Sequence, residues 1–183
     1  MNLEHVLKML IERFHSQGID FVLSGGIALS TMDVVRFTRD LDFIIYEEDK
    51  EAVHNIMVEL GYEKQNFSTD EIVCYWSPLK VFGQVDFLLA RRKYTRAMIQ
   101  KADLKSVFGG DFQVRTVRPE DLIGLKIQAI SNDPENRYLI DKPDIQRLLK
   151  LHSYKMDMEL VREYFRIFEK EELLDEWLQE IGQ

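Results

Sequence analysis

Residues 21–45 read FVLSGGIALSTMDVVRFTRDLDFII, from Phe21 to Ile45, and the fold turns on them. A short apolar run, Asp20 to Ser24, has the character of a buried strand; Gly25 and Gly26 follow at once, and Ile27 to Val35 can be helical. A strand that enters a helix through Ser24-Gly25-Gly26 can bring backbone N–H groups close to an anion that side chains would hold away, which is the geometry of a phosphate cradle. Alone, the dipeptide is more often just a tight turn. Asp40-Leu41-Asp42 lies fourteen residues beyond Gly26. In a strand over Leu41 to Tyr46, residues two apart share a face, so Asp40 and Asp42 project together while Leu41, Phe43 and Ile45 turn into apolar packing. Two carboxylates so close repel each other unless a cation sits between them. Hard oxygen ligands in this arrangement suit Mg²⁺.

A third carboxylate strengthens that reading. The segment Val81 to Ala90 places Val85, Phe87 and Leu89 on one strand face and Asp86 on the other, and an aspartate in so apolar a strand requires a partner. If this strand lies beside Leu41 to Tyr46, Asp40, Asp42 and Asp86 converge near the Gly-Gly loop. Three carboxylates for two metals, opposite a phosphate cradle, are the parts needed for in-line nucleotidyl transfer.

Further along the chain, Val6, Leu7, Leu10, Ile11 and Phe14 recur at helical spacing, as do Ala52, Val53, Ile56, Met57 and Leu60. Strands are predicted at Glu71 to Ser77 and Phe112 to Val117, and the basic stretch Arg91 to Lys105 reads as a helix. From Pro119 onward only helices are expected, near Glu120 to Ile130, Pro143 to His152, Met158 to Phe168 and Glu171 to Ile181.

The 183 residues are 45% apolar and 31% charged, ordinary for a globular chain able to bury a core without disulfides. No apolar run approaches the ~20 residues of a membrane span, and MNLEHVLKMLIERF lacks the cleavage site of a signal peptide. With Cys74 as the only cysteine, read as a buried strand residue, a cytoplasmic protein is expected. The net charge of −8 is uneven: nine acidic and three basic residues from Asp157 onward leave only −2 on the rest. Arg91, Arg92, Lys93, Arg96, Lys101 and Lys105 against Asp103 form either a solvated helix face or a site for phosphates or an RNA backbone.

The order strand, Gly-Gly, helix, Asp-x-Asp strand and a later Asp resembles the nucleotidyltransferase superfamily that includes DNA polymerase beta. Within it, GGIAL followed by RFTRDLDF is similar to the AbiEii-type nucleotidyltransferases of toxin-antitoxin and abortive-infection systems. The resemblance covers roughly residues 20–150. It implies that Ser24, Gly25 and Gly26 hold the nucleoside triphosphate, ATP or another NTP. Asp40 and Asp42 would coordinate Mg²⁺ or Mn²⁺, and Asp86 would complete one metal site and help deprotonate the acceptor hydroxyl. It also implies a Lys and a later Asp in the helical part, for which Lys126 and Asp144 are the matching positions. Two positions depart from the pattern: Phe43 and Ile140 stand where many relatives carry a basic residue.

Lys126 also stands out on a helical wheel, inside the arc of Leu122, Ile123, Leu125, Ile127, Ala129 and Ile130, with Gly124 and Gln128 opposite. An ammonium there requires an anion, either a triphosphate or Asp144. For the aspartates a plainer role is open, with Pro143 in a first helical turn, Asp141 capping it and Asp144 near its positive end. The expected architecture is an α+β nucleotidyltransferase fold: a small mixed β-sheet flanked by helices, with residues 1–118 as the catalytic domain and 119–183 as a helical region packing on its cleft. The leading functional reading is transfer of a nucleoside monophosphate to RNA, tRNA or protein, as a toxin with an antitoxin partner. A small aminoglycoside-like acceptor, a catalytically inactive nucleotide-binding module and a protein-interaction scaffold are the alternatives.

Overall fold

The computed structural model describes residues 2–79, 82–110 and 112–182. The chain runs α1 (Leu3–Ser16), β1 (Phe21–Ser24), α2 (Gly25–Ser30), β2 (Asp40–Tyr46), α3 (Lys50–Glu59), β3 (Glu63–Lys64), β4 (Ile72–Trp76), β5 (Gln84–Ala90), α4 (Lys93–Gln100), β6 (Asp103–Val107) and β7 (Phe112–Thr116). Four helices follow, α5 (Pro119–Asn132), α6 (Pro134–His152), α7 (Met158–Ile167) and α8 (Glu171–Glu180). The strands form one mixed sheet in the order β3-β4-β5-β2-β1-β7-β6. β2 is parallel to β5 and antiparallel to β1, and β1 is parallel to β7. This is the expected α+β class with a mixed sheet. Val81, taken as the start of the third acidic strand, lies outside the described residues.

The chain divides into two compact units, one formed by residues up to Thr31 with Arg36–Val117 and the other by Met32–Val35 with the residues from Arg118 onward. In the first, the alternation of apolar residues aims Leu41, Phe43 and Ile45, with Val85, Phe87 and Leu89, at one face of the sheet. There they meet Val6, Leu7, Leu10 and Phe14 of α1 and Val53, Ile56 and Met57 of α3 in one buried cluster. Phe14 packs against Phe21, Phe43 and Phe87 with ring centroids 5.2, 5.6 and 6.0 Å away. Cys74 is buried and free in β4. The aspartates occupy the opposite sheet face because they sit at the alternate positions.

Three local expectations are corrected. The helix read over Ile27 to Val35 stops at Ser30, because Thr31 caps it and Asp33 turns left-handed at φ 59°. The basic stretch is not one helix: α4 ends at Gln100, and Lys105 belongs to strand β6. Pro143 does not start a helix, and Asp141 is no cap. α6 begins at Pro134, Asp133 accepts a bond from the Asn136 backbone N–H, and Pro143 lies inside. A proline there removes the bond to the carbonyl four residues back, on Leu139. Leu139 is among the most exposed apolar residues, so water can take that place.

In the second unit, Val161, Tyr164 and Phe165 of α7 and Leu174 and Trp177 of α8 are buried, with Phe165 edge-on to Trp177 at 5.8 Å. Gly124 and Asp121, on the side of α5 away from the apolar arc, are covered too: a Cβ on Gly124 would lie 2.7 Å from the Tyr164 ring. Among the described residues no helix is long and apolar enough to cross a membrane.

Candidate active site

The strand register brings the three aspartates together. Asp42 pairs with Ser24 of β1 on one side and with Asp86 of β5 on the other, and Asp86 pairs with Cys74 of β4. Paired residues in neighbouring strands share a face, so Cys74, Asp86, Asp42 and Ser24 form one polar row across the sheet. A second row sets Asp40 beside Gln84 and Gln84 beside Trp76. Ligand atoms of Asp40, Asp42 and Asp86 all lie within 4.8 Å of one another.

Asp40 and Asp86 are each held by a neighbour two residues earlier in the chain. Thr38 Oγ1 donates to Asp40 Oδ1 at 2.5 Å. Gln84 Nε2 donates to both oxygens of Asp86, at 2.9 and 2.8 Å. Burial pushes the Asp86 carboxyl above its usual range and the nearby Asp40 charge adds to the rise, while hydrogen bonds from Gln84 and the Cys74 thiol oppose it. Burial, with the charges of Asp86 and Asp42, pushes that thiol up to about 12, so Cys74 is a neutral donor at physiological pH. The donor set is all oxygen, crowded and anionic, and Asp86 is costly to ionise where it stands. A hard divalent cation fits such a set and would relieve that cost.

The glycines owe their place to this site. A Cβ on Gly25 would lie 1.8 Å from Asp42 Oδ2, and its φ of 61° is left-handed. A Cβ on Gly26 would lie 2.6 Å from Cβ and Oγ1 of Thr38. The double glycine therefore lets Asp42 and the Thr38 that holds Asp40 close against the loop, and Ser24, largely buried, ends the strand beside them.

Lys126, Asp141 and Asp144 meet in the second unit. Lys126 Nζ donates to Asp141 at 2.5 Å and to Asp144 at 2.9 Å, and Arg137 Nε donates to Asp141 at 2.7 Å. The anion required by Lys126 is thus supplied by the chain itself. A second buried network, unforeseen in the sequence, joins Arg118 to Asp121 and Glu120 at 3.0 Å each, with the Tyr164 hydroxyl donating to Asp121 at 2.8 Å. Burial and the Asp121 charge push the Tyr164 phenol far upward, so it stays a donor.

Three arginines of the basic stretch pair with glutamates of other segments of the same unit. Arg91 meets Glu47 at 2.8 Å, Arg92 meets Glu71 at 2.7 Å, and Arg96 meets Glu48 at 2.8 Å while lying over the Tyr46 ring. Thr38 and Gln84 are not marked by the sequence reading, and Cys74 is marked there only as a buried strand residue. The signal for Thr38 and Gln84 was the same two-residue spacing that grouped the aspartates: each precedes its aspartate by two.

A family model described as a nucleotidyl transferase of unknown function, DUF2204, matches residues 3–180. The chain belongs to this nucleotidyl transferase family. No curated protein matches it. Among solved structures it is similar to the antibiotic-resistance factor ANT(2'')-Ia in solution, at 14% identity and TM-score 0.66, covering 96% of this chain and 97% of the other. It is also similar to a nucleotidyltransferase-like protein of Paracoccidioides brasiliensis, at 19% identity and TM-score 0.57, covering 97% and 92%. The lincosamide antibiotic adenylyltransferase LnuA, lincomycin-bound, aligns at 13% identity and TM-score 0.53, covering 81% and 98%. At these identities the likeness is one of fold, and that fold is the nucleotidyltransferase fold.

Proposed function

We propose that the protein transfers a nucleoside monophosphate from an NTP to a hydroxyl of a small, cationic acceptor, using Mg²⁺ or Mn²⁺ held by Asp40, Asp42 and Asp86. The convergence of those three carboxylates beside the Gly25-Gly26 loop is the observation that carries this reading. In it, Ser24, Gly25 and Gly26 receive the triphosphate. The acceptor oxygen forms a bond to the α-phosphorus, the bond to the β-phosphate oxygen breaks, pyrophosphate leaves, and the hydroxyl proton passes to an Asp86 oxygen. Asp40, Asp42 and Asp86 would hold the divalent cation, which would supply charge neutralisation at the phosphate oxygens. Thr38 and Gln84 keep Asp40 and Asp86 oriented, and Asp42 is fixed by its fit against Gly25. Residues 1–118 constitute the catalytic part and 119–183 the helical part, where Lys126 and Asp144 serve the reaction by holding α5 against α6.

The acceptor class follows from charge. Arg91, Arg92 and Arg96 are paired with Glu47, Glu71 and Glu48, which weakens the pull of that stretch on a polyanionic backbone. The carboxylates of Asp40, Asp42 and Asp86 gathered at the site favour a cation. Neighbours in complex with adenylyl-2''-tobramycin and with lincomycin support the reading of a small acceptor. The AbiEii-type reading, a toxin acting on RNA or tRNA and restrained by an antitoxin, is the competing outcome of the same assay. Incubation with α-labelled NTPs and Mg²⁺, offering tobramycin, lincomycin and total RNA together, should label a small molecule and not RNA. Labelled RNA would overturn the acceptor class, and absence of any labelled product would favour an inactive nucleotide-binding module.

A further inference from the structure

In-line displacement sets the entering and leaving oxygens on opposite sides of the phosphorus. The Gly25-Gly26 loop follows β1, so pyrophosphate leaving toward it requires the acceptor to approach from the other flank of β2, across β5 and β4. On that flank the sheet carries one continuous row, Asp40 on β2, Gln84 on β5, Trp76 on β4 and Glu63 on β3, each paired with the next. Trp76 is 44% exposed although its neighbours Val73, Cys74 and Tyr75 in the same strand are buried. Because Gln84 Nε2 faces both Asp86 oxygens, its Oε1 turns away from them, and no described donor reaches it.

From this we infer that Gln84 and Trp76 form the acceptor subsite, which takes a hydroxylated ring bearing amino groups. Gln84 Oε1 accepts a hydrogen bond from a ring hydroxyl while its amide keeps Asp86 aligned with the attacking oxygen. Trp76 supplies a flat wall for the ring, and its π-face attracts a ring ammonium. Glu63, exposed at the outer end of the row, adds a negative charge beyond that wall. Gln84 is thus both a positioning residue for Asp86 and a reader of the acceptor. This subsite rests on the small-acceptor reading above.

The two tryptophans allow a test that does not depend on turnover. Trp177 is fully buried, so acrylamide quenching of fluorescence reports Trp76. With Mg²⁺ and a non-hydrolysable ATP analogue present, tobramycin or lincomycin should shield Trp76 and lower the quenching slope. Transfer to the shielding compound should lose affinity in Trp76→Ala, with KM rising about tenfold and kcat little changed. Trp76→Phe should recover most of that affinity. Gln84→Leu should instead lower kcat by about 10- to 100-fold, since it frees Asp86. Transfer to tobramycin or lincomycin with no shielding and an unchanged KM in Trp76→Ala would overturn the subsite while the function stood. Neither transfer nor shielding, with RNA labelled instead, would overturn both.

Discussion

Two clusters of aspartates in this protein look alike in sequence and differ in kind. Asp141 and Asp144 are buried with Lys126 between them and Arg137 alongside, so charge is balanced within a few ångströms. Asp40, Asp42 and Asp86 crowd one another, with neutral donors from Thr38 on Asp40 and from Gln84 and Cys74 on Asp86. The first arrangement is complete within the chain. In the second, burial and the Asp40 charge make Asp86 costly to ionise, and proteins keep such a cost where it serves a ligand. The position of the positive charge, more than the count of aspartates, separates a structural network from a reactive one.

This contrast can be broken from either side. The largest effect is expected for Asp42→Asn, which should lower transfer by about a thousandfold or more through loss of a metal ligand. Its unfolding midpoint in EDTA should change far less than its activity; a large loss of stability would assign Asp42 a structural role. Lys126→Met should do the reverse, destabilising by about 3–5 kcal/mol in urea titration, since it leaves two buried carboxylates without their ammonium. A Lys126→Met protein as stable as the original would show that the network is not structural. If its kcat falls while it remains fully folded, Lys126 touches the reaction itself.

Gly25→Ala sharpens the link between the loop and the metal site. The added methyl meets Asp42 and the left-handed φ is lost to strain, so about 1–3 kcal/mol of stability and most of the transfer activity should go together. Gly18→Ala, with open space around its Cβ, isolates the cost of a left-handed φ alone and should leave transfer intact. The smallest effect concerns pH. The Asp86 pKa is raised in the folded state, so its contribution favours folding at low pH and is lost as pH climbs through that raised value. Metal-free Asp86→Asn should therefore lack this step and be the more stable protein at neutral pH, as differential scanning calorimetry across pH would reveal. An identical pH profile for both proteins would contradict the cause assigned to Asp86.

Much of this was legible in the sequence because strands alternate. The two-residue spacing of Asp40 and Asp42, and the isolation of Asp86 among Val85, Phe87 and Leu89, placed all three on one face before any strand order was known. Pairing of β2 with β5 could not be read that way, since it depends on which strand lies beside which. The helical half was harder. Pro143 suggested a helix start, yet tertiary packing carries α6 through it from Asp133, and that displaced Asp141 from a cap into the Lys126 network. The wheel of α5 marked Gly124 as facing away from the core, whereas Tyr164 packs against it. The basic run also misled when read alone, because its glutamate partners Glu47, Glu48 and Glu71 come from distant segments. Local periodicity shows faces; it does not show what a face meets.

Direct binding of Mn²⁺ is the decisive measurement, followed by electron paramagnetic resonance as free ion is lost on titration of the purified protein with a non-hydrolysable ATP analogue present. Saturable binding that disappears in Asp42→Asn and in Asp86→Asn, and persists in Lys126→Arg, is the predicted result. Equal Mn²⁺ binding by the unaltered protein and both aspartate variants would contradict the account.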